Sequence, residues 1–181
     1  IVRNWQDELR DILIEKHGEE RGLKLSHRFG RALPAGYIES VTPWIAAADV
    51  EAVSQLKDSH DVRLHLYRPR KKSDGALRFK VFRMGAPIAL SDALPMLENM
   101  GLRVNSEHPY EMQVPGINIH IQDFEVEPLV ALGENLEQAR ERFQAGFEQI
   151  WRGRIENDGF NRLVLAAELD VREVNVLRGY C

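Results

Sequence analysis

The histidines are the residues whose type most readily supports chemistry, because an imidazole can move a proton or bind a metal near neutral pH. The sequence places them at His17, His27, His60, His65, His108 and His120. No close pair has the spacing that puts two metal ligands on one face of a helix. His65 and His120 fall in strand-like segments and could meet on the polar face of adjacent strands. We expect exposed side chains there and no metal site.

Other side chains that could take part in catalysis lack the neighbours that catalysis needs. Cys181 is the only cysteine, and without a basic neighbourhood in sequence it is not expected to be a nucleophile. One set of glutamates indicates a solvated helix face rather than an acid–base pair. These are Glu134, Glu137, Glu141 and Glu148. The chain also has no Gly-x-Gly-x-x-Gly motif, the usual mark of a dinucleotide site, so we expect no catalytic residues.

Composition and charge narrow the class of protein further. The length of 181 residues suits one domain with helical flanks, and the net charge of −4 argues against nucleic acid as a main partner. The basic run 68–72 predicts a solvated hairpin loop. No apolar run reaches the roughly 18 residues of a membrane span, no signal-like leader is present, and a single cysteine fits a reducing cytoplasm. Because the chain opens on Ile1 without Met and helical periodicity continues to Cys181, we expect a piece of a longer protein.

Apolar residues three and four positions apart predict helices in the first third. Gly18 separates two of them. The segment 33–37 is predicted to be a turn, because Pro34 lacks the amide hydrogen that a helix needs. Thr42 then caps a helix that begins at Pro43. The aromatic anchors of helix packing are expected to be Trp5, Trp44 and Trp151.

The middle third changes to the two-residue period of half-buried strands. Strands are predicted at 62–67, at 77–82, at 102–114 in two parts, and from 117 onward. A helix lies between the second and third strands. Ser91 or Asp92 is predicted to cap it, which would place Pro95 in its first turn, and Gly101 ends it.

The last third returns to helical periodicity. Asn135 is predicted to cap a long helix that ends at Gly153, and Asp158 to cap a shorter one. Asp170 with Glu173 three residues later predicts a capping box for the last helix.

The order strand, strand, helix, strand, strand, helix predicts an α+β fold. A ferredoxin-like domain has the same elements, and moving its last strand to the front gives this order. We therefore predict a circularly permuted ferredoxin-like, ββαββα, four-stranded antiparallel sheet with helical flanking segments. Ile117, Ile119 and Ile121 would face the two helices of the permuted motif.

The turn Met84-Gly85-Ala86-Pro87 joins a predicted strand to a helix, and this junction resembles that of ACT domains, which sense small molecules. In that family a glycine at this junction lets the backbone approach a bound amino acid closely. The resemblance therefore implies a ligand site at Met84, Gly85, Ala86 and Pro87, whereas the residues themselves are also consistent with a glycine that only makes the turn.

A longer resemblance covers almost the whole chain. The segments 33–37, 79–104, 109–110 and 151–178 resemble the large NAD-specific glutamate dehydrogenases of bacteria, most specifically in Glu156-Asn-Asp-Gly-Phe-Asn-Arg-Leu-Val-Leu-Ala-Ala167. In that family such segments precede the dehydrogenase domain. The glycine-rich lysine motif of the family's active site is absent.

The resemblance implies a non-catalytic regulatory or assembly segment of an oligomeric parent that deaminates glutamate with NAD, while the segment itself binds no cofactor. Its partners would be the other domains of the parent and an amino-acid effector, with no nucleic acid and no membrane. We expect a helical segment at 1–57, an ACT-like domain at 58–153 and the start of a following helical segment at 154–181.

Two alternatives come from other classes of protein. The first is a stand-alone ligand-binding module with no attached enzyme. The second is an RNA-binding ferredoxin-like domain, which would need exposed aromatic residues on central strands. Phe82 and Tyr67 are the candidates for that role.

Overall fold

The structure, a computed structural model, describes residues 4–70, 76–132 and 135–181. Residues 1–3 of the predicted helical segment 1–57, residues 71 and 72 of the predicted basic loop, and Glu134 lie outside these ranges. The strands are β1 (Val62–Tyr67), β2 (Leu77–Met84), β3 (Leu102–Val114) and β4 (Ile117–Pro128). The helices are α1 (Trp5–His17), α2 (Glu19–Arg28), α3 (Ala35–Ser40), α4 (Pro43–Ser54), α5 (Leu90–Asn99), α6 (Leu136–Trp151), α7 (Leu163–Ala166) and α8 (Val171–Arg178).

The four strands form one antiparallel sheet in the order β1-β2-β4-β3. This is the order that results when the last strand of a ferredoxin-like sheet is moved to the front, so the predicted α+β class is confirmed. Pro115 and Gly116 make the tight turn between β3 and β4, and Gly116 has a φ of +81°. Since β3 is continuous, the predicted break within it is wrong.

The residues divide into two compact units. Unit 1 comprises Ile1–Arg63, Val81–Pro87 and Pro109–Gln122. Unit 2 comprises Leu64–Lys80, Ile88–His108 and Asp123–Cys181. No helix in the described part of the chain has both the length and the apolar character that crossing a membrane requires.

The core of unit 1 joins the N-terminal helices to the end of the sheet that carries the turn between β3 and β4. Leu9 and Leu13 of α1 lie in one buried cluster with Val50 of α4 and with Ile119 and Ile121 of β4. The isoleucines therefore pack in the core of the N-terminal helices. The prediction that they face α5 and α6 is wrong. Alternation in the sequence reveals a buried face of a strand, but it does not say which helices cover that face.

Buried polar contacts hold the short helix α3 in unit 1. Pro34 is the N-cap of α3, where a missing amide hydrogen does no harm, so the predicted turn at 33–37 is wrong beyond Pro34. Tyr37 is fully buried, and its hydroxyl donates to the carboxylate of Asp49 at 2.5 Å. The indole of Trp5 donates to the carbonyl of Val41 at 2.9 Å.

An aromatic cluster forms the centre of unit 2. Phe79 of β2 meets Phe143 and Phe147 of α6 edge-on, with ring centroids 5.3 and 5.0 Å apart. All three rings are fully buried. Such edge-to-face pairs stabilise a core beyond the area they bury.

The start of α5 differs from its prediction. Ala89 is the N-cap and Pro95 lies inside the helix, because α5 already begins at Leu90. Ser91 and Pro95 are both exposed, so water can bind the carbonyl that the missing proline amide leaves open. Gly101 has a φ of +91° and ends the helix as predicted.

The caps of the last third are confirmed. The side chain of Asn135 accepts from the first turn of α6, and Asp170 with Glu173 forms a complete capping box on α8. Asp158 caps a short 3-10 helix, Gly159–Arg162, that leads into α7.

Candidate functional site

The predicted ligand turn lies at the end of β2 in unit 1. Met84 is half-buried against the core, whereas Gly85, Ala86 and Pro87 are exposed. Gly85 has a φ of +90°, a conformation that glycine adopts without steric cost. A Cβ at this position would meet only the Cβ of Ser59 at 3.6 Å. Backbone conformation, and not lack of space, therefore explains the glycine.

A shallow cavity of about 560 Å³ opens beside this turn. Of the four predicted site residues, Gly85 alone lines it. The β3–β4 hairpin supplies the rest of the lining, namely Gln113, Val114, Pro115, Gly116, Ile117 and Asn118. The sequence predicts the two strands of this hairpin but does not place their turn in the site. The order of the sheet, in which β2 pairs with β4, was the signal that could have done so.

Hydrogen bonds fix the turn to the hairpin. The amide of Gly85 donates to the carbonyl of Asn118 at 2.7 Å. A ring nitrogen of His120, Nε2, lies 3.2 Å from the carbonyl oxygen of Gly85. Both backbone groups of Gly85 thus have partners, which leaves a ligand the polar side chains of Gln113 and Asn118, both exposed.

The start of α5 follows this turn, and a helix N-terminus can offer amide donors to a bound carboxylate. This helix begins at Leu90, and no side chain caps it. Its first turn carries Asp92, whose negative charge already interacts favourably with the helix dipole and repels a second carboxylate. The chemistry at this helix terminus is therefore unfavourable for an anionic ligand.

A charged network crosses the strands of unit 2. The guanidinium of Arg78 donates to both carboxylate oxygens of Asp123, at 3.1 and 2.9 Å, and to Glu125. Ser106 donates to Glu125 at 2.9 Å. Burial lowers the pKa of Arg78, but the hydrogen bond and charge of Asp123 outweigh burial and raise that pKa above its ordinary value. The network is internally paired and therefore structural.

His65 lies on β1, where its ring meets that of Tyr67 edge-on with centroids 5.1 Å apart. Burial, followed by the charges of Lys80 and Arg140, lowers the pKa of His65 to about 4. The ring is therefore neutral at pH 7 and too weak a base for general base catalysis near neutrality. The ammonium of Lys80 lies 5.2 Å from the centroid of the Tyr67 ring.

His65 and His120 do not meet, because β2 lies between β1 and β4 in the sheet. Both side chains are half-buried, so the expectation that they are exposed is wrong. Within residues 4–70, 76–132 and 135–181, no group of three or more His, Cys, Asp or Glu side chains is arranged to hold a metal ion. Cys181 is exposed. Glu137 and Glu141 are also exposed, and Glu148 pairs with Arg152 at 3.0 Å.

The RNA-binding alternative loses its aromatic platform. Phe82 is only 1% exposed and belongs to the core of unit 1. Tyr67 is half-buried, with Lys80 over its ring.

Trp44 was expected to be buried in helix packing but is 53% exposed. That prediction is wrong, since α4 turns this ring away from the core cluster.

Comparison with known families matches three successive parts of the chain. Residues 12–56 match the model described as glutamate dehydrogenase, helical motif 2. Residues 61–139 match glutamate dehydrogenase, ACT3 domain, and residues 155–181 match helical motif 3.

Curated relatives match nearly the whole chain. An NAD-specific glutamate dehydrogenase of Halomonas elongata is 42% identical over 99% of the chain. Those of Pseudomonas aeruginosa and Mycobacterium tuberculosis are 37% and 30% identical over 98% and 99% of it. The chain spans about 11% of the length of each relative, which does not favour a stand-alone module.

Proposed function

Because this chain belongs to the family of NAD-specific glutamate dehydrogenases, as a segment with an ACT domain and helical motifs, we propose that it is a non-catalytic regulatory or assembly segment of such an enzyme. The observation that carries the proposal is the match of ACT and helical-motif models along the chain. The described residues add support, because the charged network of Arg78, Asp123 and Glu125 is internally paired.

The proposal extends to the parent enzyme. We propose that the parent is a cytoplasmic homo-oligomer that oxidises L-glutamate to 2-oxoglutarate and ammonia with NAD. The partners of this segment are then the catalytic and other domains of the same chain. Within the segment we propose a helical part at 1–57, an ACT-like part at 58–153 and the start of another helical part at 154–181.

The test is a direct assay for NADH. The purified 181-residue chain should form no NADH from glutamate and NAD at protein concentrations where the full-length parent is active. This result follows from the absence of a dinucleotide motif and of the family's active-site lysine motif. Glutamate-dependent NADH formation by the chain would overturn the proposal.

A second function, amino-acid sensing, is favoured by the cavity beside Gly85. Calorimetry with a panel of amino acids and nucleotides tests it. Because Gly85 has a positive φ, Gly85→Val would strain the backbone and is a poor test. Gln113→Trp would instead fill the cavity from an exposed strand position, where tryptophan is well tolerated.

The matched control is Glu111→Trp, which changes an exposed residue of the same strand that does not line the cavity. Sensing predicts binding heat for wild type and Glu111→Trp, and loss of that heat for Gln113→Trp. No heat with any compound would leave an assembly role alone.

A further inference from the structure

An open groove runs along the outer face of α1 in unit 1. It has a volume of about 460 Å³, and its apolar lining consists of Ile12, Pro43 and Trp44. The indole of Trp44 is 53% exposed. Exposed tryptophans in grooves are typical anchors of protein interfaces, because they bury a large apolar area on binding.

Thr42 and three acidic residues form the remaining lining of this groove. Glu8, Asp11 and Glu15 line it from α1, three and seven residues apart, and therefore share one face of the helix. Asp11 pairs with Arg10 at 3.3 Å. Within the described chain, Glu8 and Glu15 form no ion pair. The groove therefore offers an apolar floor and two carboxylates that form no ion pair, with the ammonium of Lys16 4.4 Å from the centroid of the Trp44 ring.

A row of basic residues with the same spacing lies on α2. Arg21, Lys24 and Arg28 are exposed and are also three and seven residues apart. At about 1.5 Å of rise per residue, each row extends about 10 Å along its helix. Leu23 is 42% exposed beside the basic row. Lys24 pairs with Glu20 of its own helix at 2.8 Å, but both side chains are largely exposed, so this pair is weak and exchangeable.

We propose that the groove on α1 and α4 receives the basic face of α2 from a second copy of the chain. The two surfaces match in charge sign, in spacing and in having an apolar component. Since each copy carries both surfaces on the packed helix pair α1–α2, a two-fold dimer would form the contact twice. This inference rests on the proposed assembly role, for which it names the partner and the surface.

Charge reversal with complementation tests the proposal. Glu8→Lys with Glu15→Lys makes both surfaces basic, whereas Arg21→Glu with Arg28→Glu makes both acidic. Sedimentation velocity over a concentration series should show self-association of wild type, weakened at least about tenfold in either variant because like charges face each other. An equimolar mixture of the two variants should regain wild-type association, because opposite charges meet again at both contacts.

The controls separate this surface from general charge effects and from misfolding. Glu98→Lys with Glu141→Lys makes the same change in net charge at exposed positions of unit 2 and should associate like wild type. Trp44→Ala removes the exposed anchor without changing charge and should also weaken association. Circular dichroism establishes that each variant is folded.

Two results would overturn the proposal. One is a wild-type chain that stays monomeric throughout the concentration series, and the other is a mixture of folded variants that does not associate. Both results leave the proposed function standing, since that proposal fails only if the chain forms NADH from glutamate.

Discussion

Gly22 shows how one residue can set the distance between two helices. A Cβ at this position would lie 2.5 Å from Cα of Ile14 and 2.8 Å from the carbonyl carbon of Leu13. Both atoms belong to the backbone of α1, so no side-chain rotation can relieve the overlap. The close packing of α1 on α2 therefore requires glycine here.

Gly22→Ala should accordingly destabilise the fold. The overlap costs about 1–3 kcal/mol, and the better helix propensity of alanine offsets at most about 1 kcal/mol of this. Gly36→Ala is the matched control, because a Cβ there meets nothing within 4 Å. Denaturant titration should show a loss for Gly22→Ala and no loss for Gly36→Ala. Equal stability of the two variants would contradict the packing described for α1 and α2.

His65 makes folding stability depend on pH. Its pKa is about 4 in the folded protein, against an ordinary value of 6.5. Between these values the unfolded chain binds a proton that the folded chain does not. The contribution of His65 is therefore complete above pH 6.5 and is lost as the pH falls toward 4.

His65→Gln should flatten this dependence. We expect the wild type to lose on the order of 1–2 kcal/mol more than the variant between pH 6.5 and 4, after allowance for solvent screening. The free energy of unfolding is measured by urea titration at several pH values. His27→Gln, which changes an exposed histidine of α2, should keep the wild-type slope. A wild-type slope in His65→Gln would contradict a lowered pKa of His65 in the folded protein.

At the scale of elements, α6 supplies hydrogen bonds to β1, which lies at one edge of the sheet. The amide of Leu66 donates to the side-chain oxygen of Gln144 at 2.9 Å. The carbonyl of Leu66 accepts from Nε of Arg140 at 2.7 Å. These bonds occupy backbone groups that an exposed edge strand would offer to another chain.

Gln144→Ala should release the amide of Leu66 without unfolding the sheet. Loss of one hydrogen bond worth about 1 kcal/mol corresponds to about a fivefold faster hydrogen exchange of that amide. Exchange is followed by nuclear magnetic resonance. Gln138→Ala, an exposed change in the first turn of α6, should leave the rate unchanged. An unchanged rate at Leu66 in Gln144→Ala would mean that another group protects the amide.

Local chemistry in the sequence predicted most element boundaries. Asn135, Asp170 and Gly101 end or begin helices as predicted, because a cap depends on a side chain and its own neighbouring backbone. Pro95 was placed wrongly, since solvent exposure of α5 lets a proline lie inside a helix. The position of Ile119 in the core of unit 1 was also missed, because it depends on helices distant in sequence.

At the scale of the whole molecule, the order of strands and helices predicted the permuted sheet. The candidate site was predicted only at Gly85, because its other wall comes from a hairpin about 30 residues later in the sequence. The groove at Trp44 was not predicted, since an apolar residue on a helix does not show whether a partner within the chain covers it. Exposure became visible only with the packed helices.

The central claim is that this segment serves assembly or regulation and contributes nothing to the chemical step. The direct measurement is the single-turnover rate of hydride transfer from glutamate to NAD in the full-length parent enzyme carrying Glu8→Lys and Glu15→Lys. At saturating substrates we predict a wild-type rate per active site, together with altered sedimentation of the enzyme. Slowed hydride transfer with unchanged sedimentation and unchanged response to effectors would contradict the claim.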